Sequence, residues 1–280
     1  MTQKPSAVLA TFAVLMLAAG LLLAYFTRGT PSGAKAVPPT GAVSDPSKAP
    51  NLLGAIISGN LVELKAALTA GASVTDPIGS GPNAGMTPLH LAAATPASSQ
   101  EVIRTLIAAG ATVDARTPDG RTPLMLAAEF GRPASIAALA NANAALDARD
   151  QTGKMALMFA ASAGRADNAQ ALLAAGASVN AADESGATAI ALTASSRADA
   201  SVLRILLDAG ADPDAADGAG VTPLMRAAEA GQPDKVLSLL NAGASPKARS
   251  ADGRSALDRA RTHTDEPGKR CLQILEQAGP

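Results

Sequence analysis

A glycine stands two residues ahead of a Thr-Pro-Leu element, or a degraded version of it, six times. The positions are Gly85, Gly120, Gly153, Gly186, Gly220 and Gly253, which lie 35, 33, 33, 34 and 33 residues apart. A unit of that length makes a short helical hairpin and cannot enclose an apolar core of its own. Its apolar face has to be covered by the next copy, so the chain is constrained to a stack in which each unit touches its neighbours.

The content of each unit follows from backbone chemistry. Thr at a helix N-cap offers its hydroxyl to an unpaired backbone N–H, and Pro next to it loses no bond because that donor has no helical partner. Leu and Ala then recur three and four apart, as in Leu124, Ala127 and Ala128, and small Ala side chains allow close approach of a neighbouring helix. Gly131, Gly164 or Gly231 ends the first helix. The second helix runs to Gly71, Gly110, Gly176, Gly210 or Gly243, where a left-handed cap costs little. Asn143 stands at that position in the third unit and is the next-best residue for it. The segment that follows, for example Val113 to Asp119, reads as a loop or hairpin finger.

Gly85-Met86-Thr87-Pro88-Leu89-His90-Leu91-Ala92-Ala93 resembles the opening motif of the ankyrin repeat. Gly120 to Leu124 and Gly220 to Leu224 follow it closely. The copies at Gly153, Gly186 and Gly253 have lost the proline, which predicts weaker helix starts there. A copy without the motif, from Leu52-Leu53 to Ala70-Gly71-Ala72, is similar to an N-terminal capping repeat. The resemblance implies an all-α solenoid over residues 51–280 with about seven helix-turn-helix units, near 51–84, 85–119, 120–152, 153–185, 186–219, 220–252 and 253–280. Three residues before each second-helix cap stand Leu68, Ile107, Leu173, Leu207 and Leu240, but Glu276 in the last unit. A charge there suits an end with no further copy against it.

Ala7 to Phe26 is a run of 20 residues without a charge. A helix of that length spans a bilayer core of about 30 Å. Lys4 precedes the run, Arg28 follows it, and Tyr25-Phe26 suit an interfacial aromatic pair. The expectation is a single-pass signal anchor in the inner membrane, with residues 1–6 cytoplasmic, 27–50 a Pro-, Gly- and Ser-containing linker, and the repeats periplasmic. The alternative is a signal sequence cleaved near Ala34-Lys35-Ala36, which leaves a secreted or soluble periplasmic protein. The tethered, Ala-rich and Trp-free chain resembles exported ankyrin proteins of Gram-negative bacteria.

Charge and composition narrow the function. The chain has 23 Lys and Arg against 24 Asp and Glu; removing the first 50 residues (Lys4, Arg28, Lys35 and Lys48 against Asp45) leaves 19 against 23. Beyond the apolar run the aromatics are Phe130 and Phe159, so the basic, stacking surface of a nucleic-acid binder is missing. No phosphate loop or metal-spaced Cys/His cluster occurs, so no cofactor, metal or small-molecule substrate is expected. His90 occupies the motif position whose imidazole, by resemblance, bonds within the turn. His263 falls in an irregular stretch, Arg261 to Gly268, that reads as a surface loop. Cys271 stands where Val102 and Val202 stand in other copies and reads as a buried small residue. Asp114, Asp147 and Asp214 recur at the repeat period and read as turn formers rather than an acid/base pair.

The resemblance therefore implies a non-enzymatic adaptor whose protein partner lies on the concave side, formed by finger tips and first helices. The matching finger positions are Arg116, Asp119, Arg121, Arg149, Lys154, Glu184, Arg249 and Arg254; those on first helices are Glu129, Phe130, Ser162 and Glu229. Phe130 has two readings, an exposed anchor beside Arg121 and Arg149, or packing over the junction between repeats. Met125, Met158 and Met225 replace the motif histidine and read as local packing. Alternatives to the adaptor are an effector or protective partner of a stress enzyme, and an enzyme with a site in the irregular C-terminal unit.

Overall fold

The computed structural model describes residues 51–79, 81 and 83–279. The apolar run 7–26 and the linker 27–50 lie outside these residues. Among those described, no helix is long and apolar enough to cross a membrane. Fourteen helices are described, in seven pairs: α1 Leu52–Ser58 with α2 Leu61–Thr69, α3 Pro88–Ala94 with α4 Gln100–Ala108, α5 Pro123–Phe130 with α6 Pro133–Asn141, α7 Ala156–Ser162 with α8 Ala166–Ala175, α9 Ala189–Ser195 with α10 Ser201–Asp208, α11 Pro223–Glu229 with α12 Pro233–Asn241, and α13 Ala256–Ala260 with α14 Glu266–Gln277. Residues 51–76 and 86–279 form one compact unit. Within the stack, first helices pack on first helices and second helices on second helices, from each pair to the next. In Pro77–Gly85 the chain turns on itself, Gly85 N donating to Ile78 O at 2.8 Å.

The caps explain where the helices begin and end. Thr122 Oγ1 accepts from Met125 N at 3.4 Å and Thr222 Oγ1 from Met225 N at 3.3 Å. Of the three starts without proline, α7 at Met155 and α9 at Thr188 lack a side-chain cap bond. The third is not weak. Ser255 Oγ accepts from Asp258 N at 3.2 Å while Asp258 Oδ2 accepts from Ser255 N at 3.0 Å, a reciprocal box that replaces the lost proline. Asn143 adopts φ 61°, the left-handed cap expected from its place in the repeat.

Burying Leu64, Leu89, Ile103, Leu124, Ile136 and Leu139 completely supplies about 1.5–3 kcal/mol per side chain. One column of the second helices is more varied. Val102, Ser135, Asn168, Val202, Lys235 and Cys271 occupy equivalent buried places against the preceding repeat. Asn168 Nδ2 reaches back to Ala128 O at 3.0 Å and to Ala127 O and Gly131 O at 3.2 Å, closing the open end of α5. Lys235, 1% exposed, does the same for α9: Nζ donates to Thr193 O at 2.8 Å, Ser196 O at 2.7 Å and Ser196 Oγ at 3.1 Å. Burial pushes this ammonium down to about 8, with Asp199 opposing.

The fingers are tied to one another through the backbone. Gln151 N donates to Asp119 O at 3.1 Å, Glu184 N to Thr152 O at 3.2 Å, Gly218 N to Ser185 O and Ala251 N to Ala219 O at 2.9 Å. This close approach adds to the demand for glycine at Gly120, Gly153 and Gly186. At Gly153, with φ 77°, a Cβ would meet Glu184 N at 2.7 Å, so both conformation and space demand glycine. The periodic aspartates correct the sequence reading. Asp114 accepts from Ala145 N at 3.1 Å, Asp147 from Ser178 N at 3.0 Å and Asp214 from Ser245 N at 2.9 Å, each 31 residues on. They join consecutive repeats rather than form their own turns.

Candidate functional site

Three of the finger arginines are committed to the fold. Arg116 Nη1 donates to Gly120 O in its own finger at 2.9 Å and to Arg149 O in the next at 2.6 Å. Arg149 Nη1 repeats the arrangement with Gly153 O at 3.0 Å and Ala182 O at 2.6 Å. Arg249 holds Gly253 O at 2.6 Å and faces Asp258 Oδ2 at 3.4 Å. All three side chains remain exposed, so they are staples that still present charge. Asp119 accepts from Thr117 Oγ1 inside its finger.

Arg121, Glu129 and two aromatics form a cluster across the second and third helix pairs' successors, α5 and α7. Arg121 pairs with Glu129, and its guanidinium lies 4.3 Å from the centre of the Phe159 ring and 6.0 Å from that of Phe130. Phe130 is 8% exposed, which decides for packing over an exposed anchor. Phe159 is the less buried ring of the pair, half-buried. It occupies the helix position held elsewhere by Leu91, Leu126 and Leu192, so nothing in one helix marks it as accessible. Lys154 stands where Arg121 stands one repeat earlier, and Ser162 where Glu129 stands. Lys154 is half-buried and has no carboxylate within 4 Å among the described residues, while Ser162 Oγ donates to Met158 O at 2.9 Å. Glu184 is exposed on the next finger.

Towards the C-terminus the same face is a network of ion pairs. Arg226 pairs with Asp217, Arg254 Nε with Asp252 Oδ2 at 2.7 Å, and buried Arg259 with Glu229 at 2.8 Å and Asp252 at 3.4 Å. Hydrogen bonds from Ser250 and then Arg254 hold the Asp252 carboxyl well below the usual carboxylate range. His263 is half-buried rather than a free surface residue: Nε2 donates to Glu229 O at 2.8 Å, and Nδ1 lies 3.4 Å from Asp265. Cys271 is fully buried, and burial pushes its thiol up to about 11, so the nucleophilic thiolate is disfavoured.

His90 links two repeats. A backbone amide can only donate and a carbonyl only accept, so Nδ1 accepts from Thr87 N at 3.1 Å while Nε2 donates to Arg121 O at 3.1 Å. Burial lowers its pKa from 6.5 and keeps the ring neutral. Met125, Met158 and Met225, at the equivalent places, are buried. Thr122 N meets Met125 Sδ at 3.4 Å, a weak substitute for the imidazole.

A family model described as "Ankyrin repeats (3 copies)" matches residues 97–183 and 157–250, together more than half of the chain. Among curated proteins, none matches. The structure is similar to the crystal structure of the ankyrin repeat domain of Bcl-3, described as a unique member of the IkappaB protein family. The similarity has a TM-score of 0.64 at 27% identity, covering 80% of this chain and 97% of that one. The helix pairs, their motif starts and these matches agree: the chain belongs to the ankyrin-repeat family.

Proposed function

We propose that this protein is a non-enzymatic adaptor that holds a protein partner on its first helices and fingers, tethered to the inner membrane through residues 7–26 with the repeats in the periplasm. The observation that carries the binding face is Phe159, a half-buried ring on a first helix with the guanidinium of Arg121 over it. Rigid aromatic surface beside charge is what interface anchors are made of. The buried, proton-retaining thiol of Cys271 and the carbonyl-bound His263 favour the adaptor over the reading of an enzyme with its site in the last unit. The tether rests on the 20-residue uncharged run Ala7 to Phe26.

The test is in-cell photo-crosslinking from Ser162, compared with Arg204 on a second helix, combined with protease added outside the inner membrane. A discrete protein adduct from Ser162 alone, with digestion of the repeats, is expected. Equal or stronger capture from Arg204 would move the face, and full protection of the repeats would reverse the topology. Cleavage near Ala34-Lys35-Ala36 is the second reading, and a mature N-terminus beginning after Met1 in that region would establish it.

A further inference from the structure

Four arginines on or beside the first helices are matched by carboxylates. Arg121 is matched by Glu129, Arg226 by Asp217, Arg254 by Asp252 and Arg259 by Glu229. Among the described residues, Lys154 is not matched. The repeat that would supply its carboxylate has Ser162 at the place of Glu129. Asp150, close by in sequence, is occupied within its own turn, accepting from Thr152 N at 2.8 Å and Lys154 N at 2.9 Å.

The unmatched ammonium sits in the repeat that also carries Phe159. Around it, the exposed Arg149 binds only carbonyls, and Arg165 Nε donates to Glu129 O at 3.2 Å. Arg149, Lys154 and Arg165 therefore pair with no carboxylate among the described residues, although Asp150, Asp183 and Glu184 lie on the same fingers. An ammonium without a paired carboxylate, in the same repeat as a half-buried ring, selects for a partner group of the opposite sign and an apolar neighbour.

We propose that the partner presents an acidic peptide segment whose carboxylate takes the place of the missing Glu129 equivalent opposite Lys154, and whose adjacent aliphatic or aromatic side chain lies on Phe159. This rests on the docking face proposed above and specifies its chemistry. Lys154 gains the counterion that Arg121 has within the fold. The apolar neighbour covers the part of the Phe159 ring that Arg121 leaves bare.

The probe is a displayed library of random linear peptides, selected on the full chain in a nonionic detergent, with affinities then measured by fluorescence anisotropy at low salt. Enriched peptides are expected to pair Asp or Glu with a neighbouring large apolar residue. Lys154→Glu should weaken them by about tenfold or more, and exchanging the peptide's acid for lysine should restore binding to that variant. Ser162→Glu supplies the carboxylate from within, so it should weaken the peptides while raising the unfolding midpoint, a combination that damage to the fold cannot give. Phe159→Leu keeps an apolar group in place and should also weaken them. Enrichment of neutral or basic peptides that still lose affinity on Phe159→Leu would overturn the acidic partner and keep the face. Peptides indifferent to all three substitutions, or no enrichment, would overturn both.

Discussion

The guanidinium of Arg121 lies 4.3 Å from the centre of the Phe159 ring, so a finger residue of one repeat is stacked on the first helix of the next. Its charge is met by Glu129 in the same unit. Arg121→Lys keeps the charge but loses the planar stack, and should cost about 1 kcal/mol; Arg121→Ala should cost about 2 kcal/mol and expose both rings. Urea midpoints of the two variants check this. An unchanged midpoint for Arg121→Lys would mean that the stack contributes nothing.

The arginine staples are present at Arg116, Arg149 and Arg249 but interrupted at Ala182 and Ala216. Ala182→Arg should reach the Gly186 carbonyl in its own finger, as Arg149 reaches that of Gly153, and raise stability by about 0.5–1 kcal/mol. Thermal unfolding of the single variant decides it, and a lowered midpoint would show that the side chain cannot follow the Arg149 path.

His90 makes the stack sensitive to acid. The folded chain keeps the imidazole neutral with a pKa below 6.5, so the unfolded chain takes up its proton first as pH falls. Stability from this group is complete above about pH 6.5 and declines below it. His90→Met, the residue used at Met125, Met158 and Met225, should lower stability at pH 7.5 by about 1 kcal/mol through loss of the bond to Arg121 O, yet lose less on going to pH 5. Denaturation curves of both proteins at the two pH values measure the difference.

Lys235 acts at the other end of the scale. Its folded pKa of about 8 lies below the 10.5 of an unburied lysine, so keeping the ammonium charged costs stability below pH 8, and the cost is relieved as pH rises towards 10.5. The wild type should gain about 2–3 kcal/mol on Lys235→Met across that interval. Parallel urea titrations provide the comparison, in which other alkaline effects cancel. A constant difference would mean that the carbonyls of Thr193 and Ser196 fully offset the burial.

What the sequence revealed was whatever a residue does locally. Asn143 declares a left-handed cap because few side chains accept it, and Thr122-Pro123 declares a helix start. What stayed hidden depends on a partner one repeat away. Asp114 looks like a turn former until Ala145 N is seen to lie against it. Arg116 and Arg149 look like free binding charges until the carbonyls of the next finger appear. The aromatic anchor was sought at Phe130, beside a helix-ending glycine, whereas Phe159 occupies a position that is leucine in three other helices. Lys235 gave one available signal, its equivalence to Ser135 and Asn168, because polar residues recurring in a buried column imply acceptors in the preceding repeat.

The amides of Gln151, Glu184, Gly218 and Ala251 are each spent on the finger before them. A guest strand laid along that row finds those donors taken and cannot dock by extending a sheet. It has to be gripped by side chains, so the row acts as a fixed comb whose teeth can be exchanged by substitution while the bar that carries them stays the same.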